Sequence, residues 1–298
     1  MNKVFLSTEG EASYIHPQVV KPILKYPGAK WSRARWIISH FPKHQIYLEP
    51  YCGSAAVFFC KEPADHEILG DSDGNIINLF QVLRTRGSEL AEAVALTPWA
   101  EAEYEVCKKQ YAGTGDALED ARRFLVRCWQ AHGPLLGKAS NTWRHRGIRG
   151  HAVTTSLWKQ VPERLLAAAI RLCDAEIRCR PALELIAYYN HSECLIYCDP
   201  PYIKSTRRAD GHYRYEMTEE EHRELLSALD VHQGSVVLSG YAHPLYDACL
   251  QGWHKEVMMT MTEHGQNRQE VLWLNPRAIW QQQLSLFAED ILEEDSNV

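Results

Sequence analysis

Along the chain, short apolar runs ended by polar turns alternate with stretches of helical spacing, and one long segment interrupts the alternation. Gln45 to Leu48 reads as a short strand, followed by the loop Glu49-Pro50-Tyr51-Cys52-Gly53-Ser54 and a helical stretch from Ala55 to Cys60. Glu67-Ile68-Leu69 predicts a second strand, stopped by the turn Gly70-Asp71-Ser72-Asp73-Gly74. Helical spacing follows from Asn75 to Leu83, and from Ser88 to Tyr111 the pattern is helical and amphipathic. Pro162 opens a further predicted helix that runs to Leu172. The strand-and-helix alternation then resumes. Cys194 to Cys198 reads as a buried strand, ended by Asp199-Pro200-Pro201-Tyr202, where two prolines cannot continue a ladder. Glu216 to Leu229 predicts a helix with Thr218 as N-cap and Glu221 closing a capping box. Ser235 to Ser239 is another buried strand and Pro244 to Leu250 a short helix. Lys255 to Thr262 and Glu270 to Leu274 form a hairpin about Gly265-Gln266-Asn267. The expected fold class is α/β, a parallel sheet closed by one antiparallel hairpin and split by a mostly helical insert.

Charge changes this picture in one region. The net charge of −6 argues against a nonspecific nucleic-acid coat. Yet from Ala121 to Pro162 there is no Asp or Glu, while Arg122, Arg123, Arg127, Lys138, Arg144, Arg146, Arg149 and Lys159 stand there, interleaved with Trp129, Trp143 and Trp158. A solvated helix face normally mixes both signs, so a single-sign stretch of this length points to phosphate. The nine cysteines are scattered without zinc-ribbon spacing. They read as buried thiols in a reducing cytoplasm, and no metal is expected. No apolar run is long enough to span a membrane, and Met1 to Tyr14 lacks the apolar region of an export signal.

Three strand ends carry candidate chemistry. The Asp199 carboxylate and the Pro200 carbonyl can each accept one N–H of an exocyclic amine, and the Tyr202 face can stack on a flat ring. On that view the Tyr202 hydroxyl is dispensable. Asp71 ends the second strand, where an acid commonly accepts ribose hydroxyls, although a turn aspartate is an equal alternative. Gly53 lets backbone approach a ligand, and the helix terminus after it offers N–H groups. A cationic sulfonium suits the neighbourhood of Glu49, Asp71 and Asp199.

Seven blocks follow in order: KYPGAK from Lys25, YLEPYCGSAAVFF from Tyr47, ILGDSDGNIINLF from Ile68, CDPPY from Cys198, EMTEEEH from Glu216, SGYAHPLYD from Ser239 and EVLWLNP from Glu270. Together they resemble the Dam-type, D12-class N6-adenine DNA methyltransferases, especially prophage-encoded relatives, from about Pro22 to Pro276. The resemblance implies a Rossmann-like seven-stranded methyltransferase sheet with an inserted, mostly helical target-recognition domain. It implies S-adenosyl-L-methionine as donor and a flipped adenine in duplex DNA as acceptor. Carried over residue by residue, it gives Asp199, Pro200, Pro201 and Tyr202 the catalytic positions. Tyr26, Lys30, Glu49, Pro50, Cys52, Gly53, Ser54, Asp71 and Asp199 would hold the cofactor. DNA contacts are expected from Arg122, Arg123, Arg127, Lys138, Asn141, Arg144, Arg146 and Arg149. The family usually has a second glycine where this chain has Ala55, and an asparagine where it has Asp73.

The expected organisation is a poorly ordered arm over 1–21, a catalytic domain over 22–84 and 168–278, a target-recognition insert over 85–167, and a tail over 279–298. Within the tail, Gln283-Leu284-Ser285-Leu286-Phe287 resembles the short extended peptide by which bacterial DNA enzymes dock on the replication sliding clamp. Gln283 would supply a hydrogen bond, with Leu284, Leu286 and Phe287 filling an apolar groove. The same three apolar residues can instead cap the core or form a dimer patch. Cys198 lies inside a strand and reads as core rather than nucleophile. Two alternatives stand beside the adenine reading: an N4-cytosine DNA methyltransferase, which more often carries Ser at the position of Asp199, and a catalytically weak DNA-binding regulator on the same fold. A chain of this kind is expected in the bacterial cytoplasm, bacterial or phage-encoded and associated with the nucleoid.

Overall fold

The structure is a computed structural model that describes residues 5–6, 13–14, 20–109, 113–132, 142–144, 152–206, 216–261 and 267–284. Seven strands make one sheet: β1 (Ile46–Glu49), β2 (His66–Gly70), β3 (Glu176–Arg178), β4 (Cys194–Cys198), β5 (Ser235–Gly240), β6 (His254–Met261) and β7 (Asn267–Leu274). Their spatial order is β3-β2-β1-β4-β5-β7-β6. The first five are mutually parallel, and β7 runs antiparallel between β5 and β6. This is the parallel sheet with a closing antiparallel hairpin that the pattern predicts, in the Rossmann-like, seven-stranded form that the resemblance implies. β4 and β5 are buried at every position, which is why their sequences are continuous apolar runs rather than alternating ones.

Register sets up the functional edge. Leu48 of β1 lies opposite Ile68 of β2 and Ile196 of β4. Asp71 and Asp199 each come three residues beyond those partners, so both acids leave the sheet at its carboxyl edge beside Glu49. The strand order reverses between β1 and β4, the place where open α/β sheets bind ligands. Leu225, Leu226 and Leu229 of the helix Glu219–Asp230 pack on Leu48, Ile196, Val236 and Leu238 below that edge. Thr218 and Glu221 form the expected capping box of this helix.

Two compact units divide the chain. The sheet unit comprises Lys30–Asp73, Leu136–Lys138 and Glu176–Val298; the helical unit comprises Met1–Ala29, Gly74–Leu135 and Ala139–Ala175. The helical unit thus begins at Gly74 rather than residue 85 and ends at Ala175 rather than 167. The reason is local: the helix Gly74–Ala95 runs on through residue 84 with a bend at Arg86, and it packs against Val161–Leu172 and Ala117–Gln130. Arg84 Nη1 donates to the Ala175 carbonyl at 3.1 Å. Trp129 Nε1 donates to the Ile23 carbonyl and Arg164 Nη1 to that of Pro22, both at 2.9 Å, which ties the early chain into this unit.

Some predicted elements differ. The single helix expected from Ser88 to Tyr111 is two, ending at Ala95 and restarting as Glu101–Lys109, because Pro98 lacks an N–H and forces the preceding residue extended. β3 and the helix Ala182–Tyr188 were not anticipated. Within the arm, Phe5–Leu6 pairs antiparallel with Ser13–Tyr14; the rest of residues 1–19 lies outside the described residues. Residues 276–284 are helical, so the sheet unit continues past 278. Asn275 starts this helix by accepting the Ala278 N–H at 2.9 Å, and Gln282 Nε2 reaches the His40 carbonyl at 2.5 Å. Among the described residues no helix is long and apolar enough to cross a membrane.

Candidate active site

Two clusters form at the carboxyl edge of the sheet. The first surrounds the chain after β4. Lys30 Nζ donates to both carboxylate oxygens of Asp199, at 2.9 and 2.7 Å, and lies 4.9 Å over the Tyr202 ring. Tyr241 meets that ring edge-on at 4.5 Å. The Tyr202 hydroxyl donates to Glu270 and sits 3.0 Å from Ser239 Oγ. Ser239 Oγ also donates to Glu270, at 3.1 Å, and Arg33 Nη1 does so at 2.8 Å. Lys30 is 3.6 Å from the same carboxylate. Burial pushes the Asp199 carboxyl up; the Lys30 ammonium opposes this, and the neighbouring Glu270 raises it further. Burial likewise keeps the Tyr202 hydroxyl protonated.

The second cluster surrounds the ends of β1 and β2. Gly53 takes a left-handed φ of 48°, and its N–H donates to Asp71 Oδ2 at 3.0 Å. The Asp73 N–H donates to Asp71 Oδ1 at 2.8 Å. Burial pushes Asp71 up to about 6, against the pull of these two N–H groups. Ala55 has a φ of 50°, left-handed and uncommon for a residue with a Cβ. Glu49 is buried, accepts the Tyr47 hydroxyl at 2.9 Å, and is pushed by burial up to about 8. Pro50, Cys52 and Ser54 are buried around it, and burial raises the Cys52 thiol. This set fits a nucleoside sulfonium donor. Asp71 presents carboxylate oxygens suited to vicinal hydroxyls, the Gly53 turn lets backbone approach, and Glu49 adds an acid.

Of the residues expected at the site, Lys30, Glu49, Pro50, Cys52, Gly53, Ser54, Asp71 and Asp199 to Tyr202 all belong to the sheet unit. Lys30 sits on the Asp199 carboxylate. Tyr26 belongs to the helical unit, where its carbonyl accepts the Ala29 N–H across a turn with Gly28 at φ 74°. The Tyr202 hydroxyl, read from the sequence as dispensable, has two partners in this arrangement, Glu270 and Ser239. Arg33, Ser239, Tyr241 and Glu270 were missed. A usable signal existed for Glu270, an acid heading the apolar run Val271-Leu272-Trp273-Leu274.

The basic window needs correction. Arg122 pairs with Glu119 and Glu103, both at 2.7 Å, and donates to Thr97 Oγ1 at 3.0 Å. Arg123 pairs with Glu119 at 2.5 Å. Arg127 is 5% exposed and donates to the Cys107 carbonyl at 3.1 Å. These three arginines hold the helical unit together rather than waiting for phosphate. Trp129 and Trp158 are buried too, the latter bonded to the Thr97 carbonyl at 3.1 Å. Arg144 is half-buried, its Nε donating to the Ala131 carbonyl at 3.2 Å, with no carboxylate partner among the described residues. Lys25 lies 4.8 Å over the Trp129 ring and is pushed down to about 8, first by burial and then by Arg144. Lys138, Asn141, Arg146 and Arg149 lie outside the described residues. Gln283 and Leu284 end the last helix rather than an extended peptide, with Leu284 47% exposed; Leu286 and Phe287 lie outside the described residues.

The family model of the D12 class N6 adenine-specific DNA methyltransferases matches residues 26–261. Comparison with curated protein sequences yields no match. Among solved structures, the chain is similar to an rRNA methylase from Streptococcus thermophilus at 10% identity and TM-score 0.32, over 81% of this chain and 93% of that one. It is also similar to the rRNA methyltransferase aviRa from Streptomyces viridochromogenes at 13% identity and TM-score 0.38, over 87% and 91%.

Proposed function

Because the chain belongs to the D12 class N6 adenine-specific DNA methyltransferases, we propose that it methylates N6 of adenine at a specific sequence in duplex DNA, with the target base flipped out of the stack. The observation that carries this reading is the display of Asp199-Pro200-Pro201-Tyr202 at the end of β4, one strand from the Gly53 turn and two from Asp71. When bound, S-adenosyl-L-methionine supplies an electrophilic methyl group. Asp71, Gly53 and Glu49 hold that donor, with Pro50, Cys52 and Ser54 shaping the turn; Tyr26 and Lys30 complete the expected set.

The residues at the β4 end handle the acceptor. The Asp199 carboxylate and the Pro200 carbonyl accept the two amine N–H groups, which fixes the direction of the nitrogen lone pair. Pro201 keeps the turn rigid. The Tyr202 ring stacks on the base, a contact worth about 1–3 kcal/mol. Positioning of this kind supplies most of the acceleration. The methylated amine carries one surplus proton, and Asp199, whose burial raises its proton affinity, is placed to take it. Lys25, Asn141, Arg144, Arg146 and Arg149 of the helical unit, together with Lys138, contact the duplex. The tail segment from Gln283 to Phe287 docks on a sliding clamp and raises the local concentration at replicated DNA.

The test is transfer of labelled methyl to duplex DNA, followed by methylation-sensitive sequencing. Label in N6-methyladenine at one motif, lost in Asp199→Ala while DNA binding persists, supports the reading. Label in cytosine, or an active Asp199→Ala, refutes it. Mixing the chain with purified clamp, with and without Leu286→Ala and Phe287→Ala, tests the docking segment; equal binding by both forms refutes it.

A further inference from the structure

Glu270 is fully buried at the start of the apolar stretch of β7, between Met258 of β6 and the end of β5. A carboxylate in such a place is unfavourable unless well paired, and an apolar residue would suit the strand better. Four groups converge on it: the Tyr202 hydroxyl, Ser239 Oγ, Arg33 Nη1 and, at 3.6 Å, Lys30 Nζ. Two of these, Tyr202 and Lys30, also belong to the acceptor cluster. Together the cluster holds two cations, Lys30 and Arg33, and two carboxylates, Asp199 and Glu270.

A difficulty at Asp199 gives this arrangement a purpose. In the structure Lys30 covers both Asp199 oxygens. An incoming amine needs one of them. Lys30 can yield only if a second anion is within reach, and Glu270 is the carboxylate beside it.

We propose that Glu270 is a positioning residue for methyl transfer, orienting the Tyr202 ring through its hydroxyl and drawing Lys30 off Asp199 when the acceptor amine arrives. It acts through Tyr202 and Lys30 and does not touch the base. This rests on the adenine-transfer reading above and assigns a further residue to that site. Ser239 shares the first task by bridging Tyr202 and Glu270; Arg33, at 2.8 Å, holds Glu270 in place.

Glu270→Gln in the full chain is the main test, because Gln keeps a hydrogen-bond acceptor for Tyr202 and Ser239 but loses the charge that attracts Lys30. Single-turnover transfer should slow on the order of 100-fold, the scale set by misplacing reacting groups. Cofactor affinity should be unchanged. Tyr202→Phe should also slow transfer, and the two substitutions should combine non-additively, since they act through one contact. A readout without turnover comes from carbon-13 titration of the Asp199 carboxyl. It should titrate at lower pH in Glu270→Gln, because the neighbouring anion that raises it is gone. A wild-type rate with unmoved Asp199 titration overturns the proposal, as does a rate loss explained by weaker cofactor binding. If Glu270→Gln does not fold, Tyr202→Phe with Ser239→Ala keeps every charge and tests the ring-orienting role; an undiminished rate there overturns it. If the wild-type chain methylates no adenine, the adenine reading fails, and the Asp199 titration still decides whether Glu270 acts on that carboxylate.

Discussion

Asp71→Asn should separate donor binding from folding. Asp71 accepts backbone N–H groups from Gly53 at 3.0 Å and Asp73 at 2.8 Å, and burial moves it from 3.8 to about 6. That rise corresponds to about 3 kcal/mol of native-state cost when the carboxylate is ionised at neutral pH. Asparagine removes this cost but turns an NH2 toward one of the two N–H donors, losing about 1–3 kcal/mol. The two changes nearly offset, so the unfolding midpoint should move by only about 2–4 °C. Donor binding should suffer far more. Loss of a charged acceptor for the ribose hydroxyls removes about 1.5–3 kcal/mol, which is about 10- to 150-fold in Kd. Calorimetric titration with S-adenosyl-L-methionine reads the affinity and a melting curve reads the stability. An unchanged Kd would remove Asp71 from the ribose. A large fall in melting temperature would show that the carboxylate serves the Gly53 turn instead. In the parent chain, donor affinity should fall as pH drops through about 6, where Asp71 takes a proton. Its stability contribution runs the other way: between pH 6 and 4 the folded chain binds that proton before the unfolded chain does, which favours the fold.

Arg127→Ala should destabilise the helical unit by about 1.5–3 kcal/mol without altering the salt dependence of DNA binding, whereas Arg144→Glu should flatten that slope by about 0.9 per lost phosphate contact; fluorescence anisotropy across a salt series distinguishes them, and the reverse pattern would undo the reassignment. Lys25 loses its charge as pH rises through about 8, so DNA affinity should decline between pH 7 and 9 at low salt, and Lys25→Met should abolish that pH step. Ala55→Gly relieves a left-handed strain of about 1–2 kcal/mol, offset by roughly 0.5–1 kcal/mol of chain entropy and a buried methyl of about 0.8 kcal/mol. It should be near neutral in denaturant unfolding, whereas Ala55→Val, branched and buried, should lower stability clearly.

Strand ends and the acids on them were legible because local rules govern them: an apolar run, a proline stop, an acid at a turn. The basic window was misread because charge was counted along the chain. Glu119 lies two residues outside the acid-free stretch yet falls one helical turn from Arg122 and Arg123, and Glu103 arrives from another helix. β3 is three residues long and only partly buried, so it carries almost no periodicity. The last helix was missed, although Asn275 before Pro276 is a cap followed by a favoured first residue. Glu270 was missed, and its partner Arg33 stands 237 residues away, beyond any local rule.

β2 and β3 are neighbours in the sheet, yet the helical unit separates Gly70 from Glu176 in the chain. For a folding chain such a closure is slow rather than destabilising, since each doubling of loop length adds only about 0.6 kcal/mol. The helical unit shortens it. Its first and last long helices pack along one another, and Arg84 bonds the carbonyl of Ala175, the residue just before β3. Once those helices have formed, the two strands no longer have to find each other across a hundred or so flexible residues. The insert works as a preformed hairpin turn made of helices, and β3 then has only a short distance left to zip onto β2.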